Sequence, residues 1–250
     1  SAGYLGTFLG GAIGGVFFVI GGGFLSDINW RFPFGIYFIG LVLLPFVILF
    51  LKEKKIESTQ EELSIDIGKN MLVVYFLAFI YMLLFFILPT QIPFLLIEKF
   101  EASGKMAGTV IATAFFCNAL GAIAFSKLKK YLNFIAIYLI GITLMALGFS
   151  LVGVINHIYF FFITSPILGF AGGIMMTNAT AWMISKTSHE KRVKSSGYFT
   201  SAIFLGQFLS PIVFHPFLDF LEIQDFFLYI GLSLFFVSFI SFSILKIKQK

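Results

Sequence analysis

Eight segments of 18 to 27 residues run without a single Asp, Glu, Lys, Arg or His, and together they take up most of a 250-residue chain. Roughly 20 apolar residues rising 1.5 Å each cross the hydrocarbon core of a bilayer as an α-helix, which satisfies its own backbone polar groups there. The sequence therefore predicts an all-α, polytopic transmembrane protein. The spans read as 4–25, 32–51, 71–97, 106–125, 134–155, 158–184, 197–214 and 226–245. With 59% hydrophobic and 12% charged residues, folding as a water-soluble domain is excluded.

The few charges are sorted by side. Of the 17 basic residues, 14 fall in alternate loops and the C-terminal tail: Lys52, Lys54, Lys55 and Lys69, then Lys127, Lys129 and Lys130, then Lys186, Lys191, Arg192 and Lys194, then Lys246, Lys248 and Lys250. The opposite loops hold Arg31, Lys99 and Lys105 beside Asp27, Glu98, Glu101, Asp219, Glu222 and Asp225. By the positive-inside rule both ends and the 52–70 loop are expected in the cytoplasm. The net charge of +5 thus reports topology, and no nucleic-acid partner is expected. The polar 52–70 loop divides two helices, in 1–51, from six in 71–250.

That lopsided division has a counterpart in an internal repeat. Ser1-Ala2-Gly3-Tyr4 recurs as Ser195-Ser196-Gly197-Tyr198, Asp27 pairs with Asp219, Tyr37 with Tyr229, and Ile39-Gly40-Leu41 with Ile230-Gly231-Leu232, at an offset of 191 to 194. The first two helices read as a parallel copy of the last two, and parallel repeats are one way in which transporters are built. Counterparts of the four helices in 71–184 are then expected ahead of Ser1, and the absence of an initiator Met and of a basic signal-peptide region agrees with an upstream start.

Three motifs carry a family resemblance: Gly22-Gly23-Phe24-Leu25-Ser26-Asp27 with Trp30-Arg31-Phe32-Pro33-Phe34; Leu88-Pro89-Thr90-Gln91-Ile92-Pro93-Phe94; and Lys191-Arg192-Val193-Lys194-Ser195-Ser196-Gly197 leading to Gly206-Gln207-Phe208-Leu209-Ser210-Pro211. On these the whole chain resembles bacterial members of the major facilitator superfamily, with the fifth to twelfth of the usual twelve helices present in parallel six-helix repeats. The resemblance implies the bacterial cytoplasmic (inner) membrane as location. It departs from the family's drug–proton antiporters where Phe17-Phe18-Val19-Ile20-Gly21-Gly22 replaces a Gly-Pro-x-x-Gly-Gly element, and Phe125 stands where the cytoplasmic-loop motif often has an acid.

No ionisable side chain lies inside a span, so a coupling proton, if one is used, would bind in the helices ahead of Ser1. Uncharged polar groups are the remaining candidates for a substrate cavity, because an amide in lipid is costly unless it faces a partner or water. These are Gln91, Asn118, Asn178 and Gln207. The resemblance places their helices around the central cavity. Thr200, Phe204, Gln207, Ser210 and Phe214 recur at three- and four-residue spacing and form one stripe. Tyr75 and Tyr81 offer stacking faces, although with 36 Phe in the chain a plain packing role competes.

Pro89 and Pro93 should break their helix near its outer end, or the helix simply stops at Leu88. Gly10 with Gly14, Gly11 with Gly15, and Gly169 with Gly173 form small-xxx-small pairs suited to close helix approach or to gating. Asp27 with Arg31, and Glu190 beside Arg192, are candidate loop latches. Cys117 is alone, and His157, His189 and His215 share no ligand spacing, so neither disulfide, metal nor cofactor is expected. No nucleotide-binding, hydrolase or metalloprotease motif occurs, and no enzyme activity is expected.

The expected function is solute transport by alternating access. Aromatic, uncharged cavity helices favour efflux of a hydrophobic or amphiphilic compound over uptake or exchange of a neutral metabolite such as a sugar. A truncated, non-transporting or partner-dependent membrane protein is the alternative of another class. The expected partners are a small-molecule solute and the lipid bilayer.

Overall fold

The computed structural model describes residues 2–50, 69–188 and 190–248, with side chains from 14 to 50, 71 to 188 and 190 to 244. The linker 52–68 and His189 lie outside the described residues. Among the described residues nine α-helices follow one another: α1 (Ala2–Ile28), α2 (Ile39–Phe50), α3 (Lys69–Phe85), α4 (Ile87–Phe100), α5 (Gly104–Leu128), α6 (Phe134–Val154), α7 (Phe161–Lys186), α8 (Arg192–Phe214) and α9 (Ile223–Lys248). Among the described residues seven helical segments are long and apolar enough to cross a membrane, and α1 spans 27 residues.

Two predicted spans are each built from two pieces. The 71–97 span is α3 and α4, parted at Phe86 rather than at Leu88 or Pro89. The cause is Pro89, whose ring occupies the place of an N–H and collides with the carbonyl four residues back, on Phe85. Thr90 then bonds the Phe86 carbonyl through its hydroxyl at 2.7 Å and its N–H at 3.3 Å, so the helix restarts at once. The 32–51 span opens as a 3₁₀ turn, Phe32–Phe38, set by Pro33, before α2 begins. The repeat partner does the same: α8 passes through a 3₁₀ turn, His215–Asp219, with Pro216 at its start, into α9.

Connections elsewhere are short and capped. Asn133 accepts from the Ala136 N–H at 2.8 Å at the start of α6. Glu101 takes the left-handed conformation (φ 51°) that ends α4, and the Ala102 N–H reaches back to the Leu96 carbonyl at 3.0 Å.

The packing is centred on α5 and α7. α5 lies against α1 and α7, α7 also carries α6 and α3, and α8 and α9 close the bundle on α3 and α6. Among the polar bonds that cross between elements, Tyr138 donates to the Leu77 carbonyl at 2.8 Å, Thr143 and Ser238 meet at 2.6 Å, and Gln224 donates to the Ile155 carbonyl. Such bonds contribute about 0.6 kcal/mol each in a membrane, so Tyr138→Phe should lower the melting temperature in detergent only slightly. A collapse of the fold in that variant would mean the bond holds the α3–α6 contact alone. By contrast α2 buries none of its residues and touches chiefly the 3₁₀ turn that precedes it.

Candidate functional site

At the α3–α4 break three helices converge on one small residue. Gly172 of α7 faces the Phe85 ring and the Asn118 amide, with its absent side chain 3.1 Å from Asn118 Nδ2. Tyr81 stands one turn before Phe85, the ring centroids 5.7 Å apart, and is 1% exposed. Gln91 follows the break on α4, which packs on α5 and α8. It is 3% exposed. An apolar ring pair thus packs beside a half-buried amide at the break, with a second, buried amide on α4 beyond it.

The α8 stripe divides. Its buried face, Ser195, Phe199, Ile203, Gly206 and Ser210, lies towards α3, where Gly206 meets the Phe79 carbonyl. Ser210 is 1% exposed and its hydroxyl has no partner among the described residues. Thr200 and Phe204 are exposed, and Gln207 and Phe214 half-buried, on the adjoining open face. Tyr75 pairs with Tyr198 at 6.3 Å at the other end of α3, away from the break. Asn178 is fully buried and donates to the Phe134 carbonyl at 3.0 Å, a bond between α7 and α6.

Pro93 lies inside α4 without ending it. Glycine contacts also differ from pair to pair. Gly169 and Gly173 press on the backbone of α5 at Ala114 and Asn118, and Gly121 presses on Phe170 of α7. Among the described residues Gly14 meets only its own Phe18, and Gly15 touches Phe115. The surroundings of Gly10 and Gly11 lie outside the described residues.

Neither expected loop latch forms an ion pair; among the described residues the one such pair is Lys99 with Glu222 at 3.9 Å. The Arg31 guanidinium rests 4.9 Å from the Trp30 ring centroid. The Asp27 carboxylate instead accepts from two backbone N–H groups of α5, Gly104 at 2.5 Å and Lys105 at 2.9 Å. A helix N-terminus carries partial positive charge and unsatisfied donors, which makes it a better partner for a carboxylate than an exposed arginine. Sequence reading missed Gly104 and Gly108, although their spacing of four is the same small-xxx-small signal.

No group of three His, Cys, Asp or Glu able to hold a metal occurs among the described residues. A bundle of apolar helices, seven of them among the described residues long enough to cross a bilayer, defines an integral membrane protein. The Major Facilitator Superfamily matches residues 74–250, and the chain belongs to that family of transporters. No curated protein matches the chain.

Proposed function

We propose that the protein exports a hydrophobic or amphiphilic small molecule across the bacterial cytoplasmic membrane by alternating access, with the basic loops and the C-terminus in the cytoplasm. The observation that carries this reading is the uncharged cluster of Tyr81, Phe85 and Asn118 at the α3–α4 break, with buried Gln91 beyond it. An anionic solute would need a cation at that depth, and the spans hold none. On this reading Gln91 and Asn118 orient the solute, the rings supply its apolar contact, and Asn178 serves packing. Residues 1–51 act as part of one bundle and 71–250 as the other.

The test is flux in proteoliposomes of the purified protein, comparing a lipophilic dye with a neutral hexose. Saturable dye flux is expected. Saturable hexose flux in its place would move the assignment to a neutral metabolite. Gln91→Leu and Asn118→Leu should each reduce dye flux roughly 10-fold, the equivalent of one lost hydrogen bond. Their melting temperatures should change by no more than a few degrees, because leucine is close in volume to each amide and keeps the packing. Full flux in both variants would remove the amides from the site.

A further inference from the structure

Two of the bundle's apolar cores meet along α3 and α7, which run through both. The larger takes Tyr81 and Phe85 from α3 and Leu168 and Met175 from α7, together with residues of α4, α5, α6 and α9. The smaller takes Val74, Tyr75 and Ala78 from α3, Ala179 and Met183 from α7, and Phe199 and Ile203 from α8. The boundary therefore cuts α3 between Ala78 and Tyr81 and α7 between Met175 and Ala179, about one turn from Phe85 and from Gly172. Among the half-buried side chains packed on each core, two belong to both, and both are methionines: Met82 and Met176.

These two flank the cluster at the break. Met82 follows Tyr81 and stands three residues before Phe85, and Met176 lies one turn beyond Gly172, which faces the Phe85 ring and the Asn118 amide. The Tyr81 and Phe85 rings are 1% and 6% exposed, so they offer a solute little more than an edge. Met82, Met176 and Asn118 are half-buried and keep part of their surface open. On α7 the neighbouring hydroxyls are spent within the helix: Thr177 donates to the Gly173 carbonyl at 2.8 Å and Thr180 to that of Met176 at 2.9 Å. Methionine is unbranched, turns about three side-chain bonds and carries a polarisable sulfur, so it refits to a changed neighbour where a branched or aromatic side chain does not.

We infer that Met82 and Met176 are specificity-determining residues of the solute site, and that their thioethers let it take uncharged amphiphiles of more than one shape. This deepens the export function proposed above, on which it rests, by assigning the side chains that meet the apolar part of the solute. Asn118 supplies a directional contact, and the thioethers fit what remains. Surfaces that accept varied partners use mobile methionines in place of fixed branched groups. A seam between two cores is also the place where a side chain can change rotamer without opening a cavity inside either one.

The first experiment uses the unaltered protein. Hydrogen peroxide converts accessible thioethers to sulfoxides, and peptide mass spectrometry reads the extent at each methionine with and without a saturating neutral lipophilic dye. Bound dye should slow oxidation of Met82 and Met176 by at least roughly 3-fold. Met71, also half-buried but packed on the smaller core alone, should oxidise as before. Equal oxidation of Met82 and Met176 with and without bound dye would overturn the assignment. The second experiment is flux of three neutral dyes, one planar, one elongated and one globular, each of which the parent should carry. Met82→Ile combined with Met176→Ile keeps the volume but branches at Cβ, and should slow at least one dye roughly 10-fold more than another. Met71→Ile should slow all three alike or not at all. A double variant that keeps the parent's relative rates would also overturn the assignment, and where that variant fails to fold the oxidation result decides. A parent that neither binds nor carries any of the dyes would sink the export function itself, and the assignment with it.

Discussion

Replacing Gly173 by Val should leave little folded protein to purify. A side chain there would enter the Asn118 carbonyl of α5, and the next nearest atoms, the Asn118 carbonyl carbon and the Ala122 nitrogen, are also backbone. Backbone cannot rotate aside as a side chain can, so the whole α5–α7 contact must open. Gly169 against Ala114 and Gly121 against Phe170 keep the same two helices close on either side of that point, which means relief at one position strains the other two. Without a hydrophobic drive between helices in lipid, close packing of this kind is a main source of association, and overpacking it costs about 3 kcal/mol. Melting in detergent and the yield of monodisperse protein are the measurements. A variant that melts within a few degrees of the parent would show that α5 and α7 are held mainly elsewhere. Gly14→Val is the matching control, since among the described residues only its own Phe18 stands near that position, and it should be mild.

The glycine pairs illustrate what a sequence of this type can and cannot convey. Long uncharged runs fixed the helices because a bilayer gives the backbone no other choice, and the positions of Pro33 and Pro89 account for the 3₁₀ turn and the break at Phe86 once the carbonyl four residues upstream of each proline is considered. Facing was another matter. In these spans nearly every residue is apolar on all sides, so periodicity says little about which stripe meets a neighbour. Asn178 and Asn118 are the same residue type at similar depth, yet one is tied to the Phe134 carbonyl while the other lies half-buried beside Phe85 and Gly172. Only the three-dimensional partner separates them. Gly169 and Gly14 likewise look alike as members of four-residue pairs, and differ because α5 passes one and not the other. The Asp27 partner was illegible for the same reason: backbone donors at the start of α5 are invisible in residue identity, whereas Arg31 is four residues away and carries an evident charge.

That carboxylate supports the second large effect, an expected opening of the outer face in Asp27→Asn. All four leading N–H groups of α5 are satisfied, Gly104 and Lys105 by Asp27 and Met106 and Ala107 by Ser103, so half of the cap comes from another helix 77 positions away. The approach depends on three glycines: a side chain at Gly23 would meet the Gly104 carbonyl, and one at Gly108 would lie 2.8 Å from the Val19 carbonyl oxygen. If α1 and α5 belong to opposite bundles, as the proposed function has it, this contact is what the outer gate makes when closed and gives up when open. Charge-assisted hydrogen bonds contribute about 1.5 to 3 kcal/mol. Asparagine keeps the size but turns one acceptor into a donor that faces two more donors. A loss of about 2 kcal/mol then favours the open outer face by roughly 30-fold. The measurement is the labelling rate of Phe115→Cys, which lines the α1–α5 contact at Gly15, by a membrane-impermeant maleimide, in a Cys117→Ser background. Labelling should rise on adding Asp27→Asn, and should rise again by the separate route of Gly23→Ala, which wedges the same crossing without touching the charge. Faster labelling in both, with transport reduced in both, identifies the crossing as the gate. Unchanged labelling in both would mean that α1 and α5 move as one body, and the division between bundles would then have to be placed elsewhere in the chain.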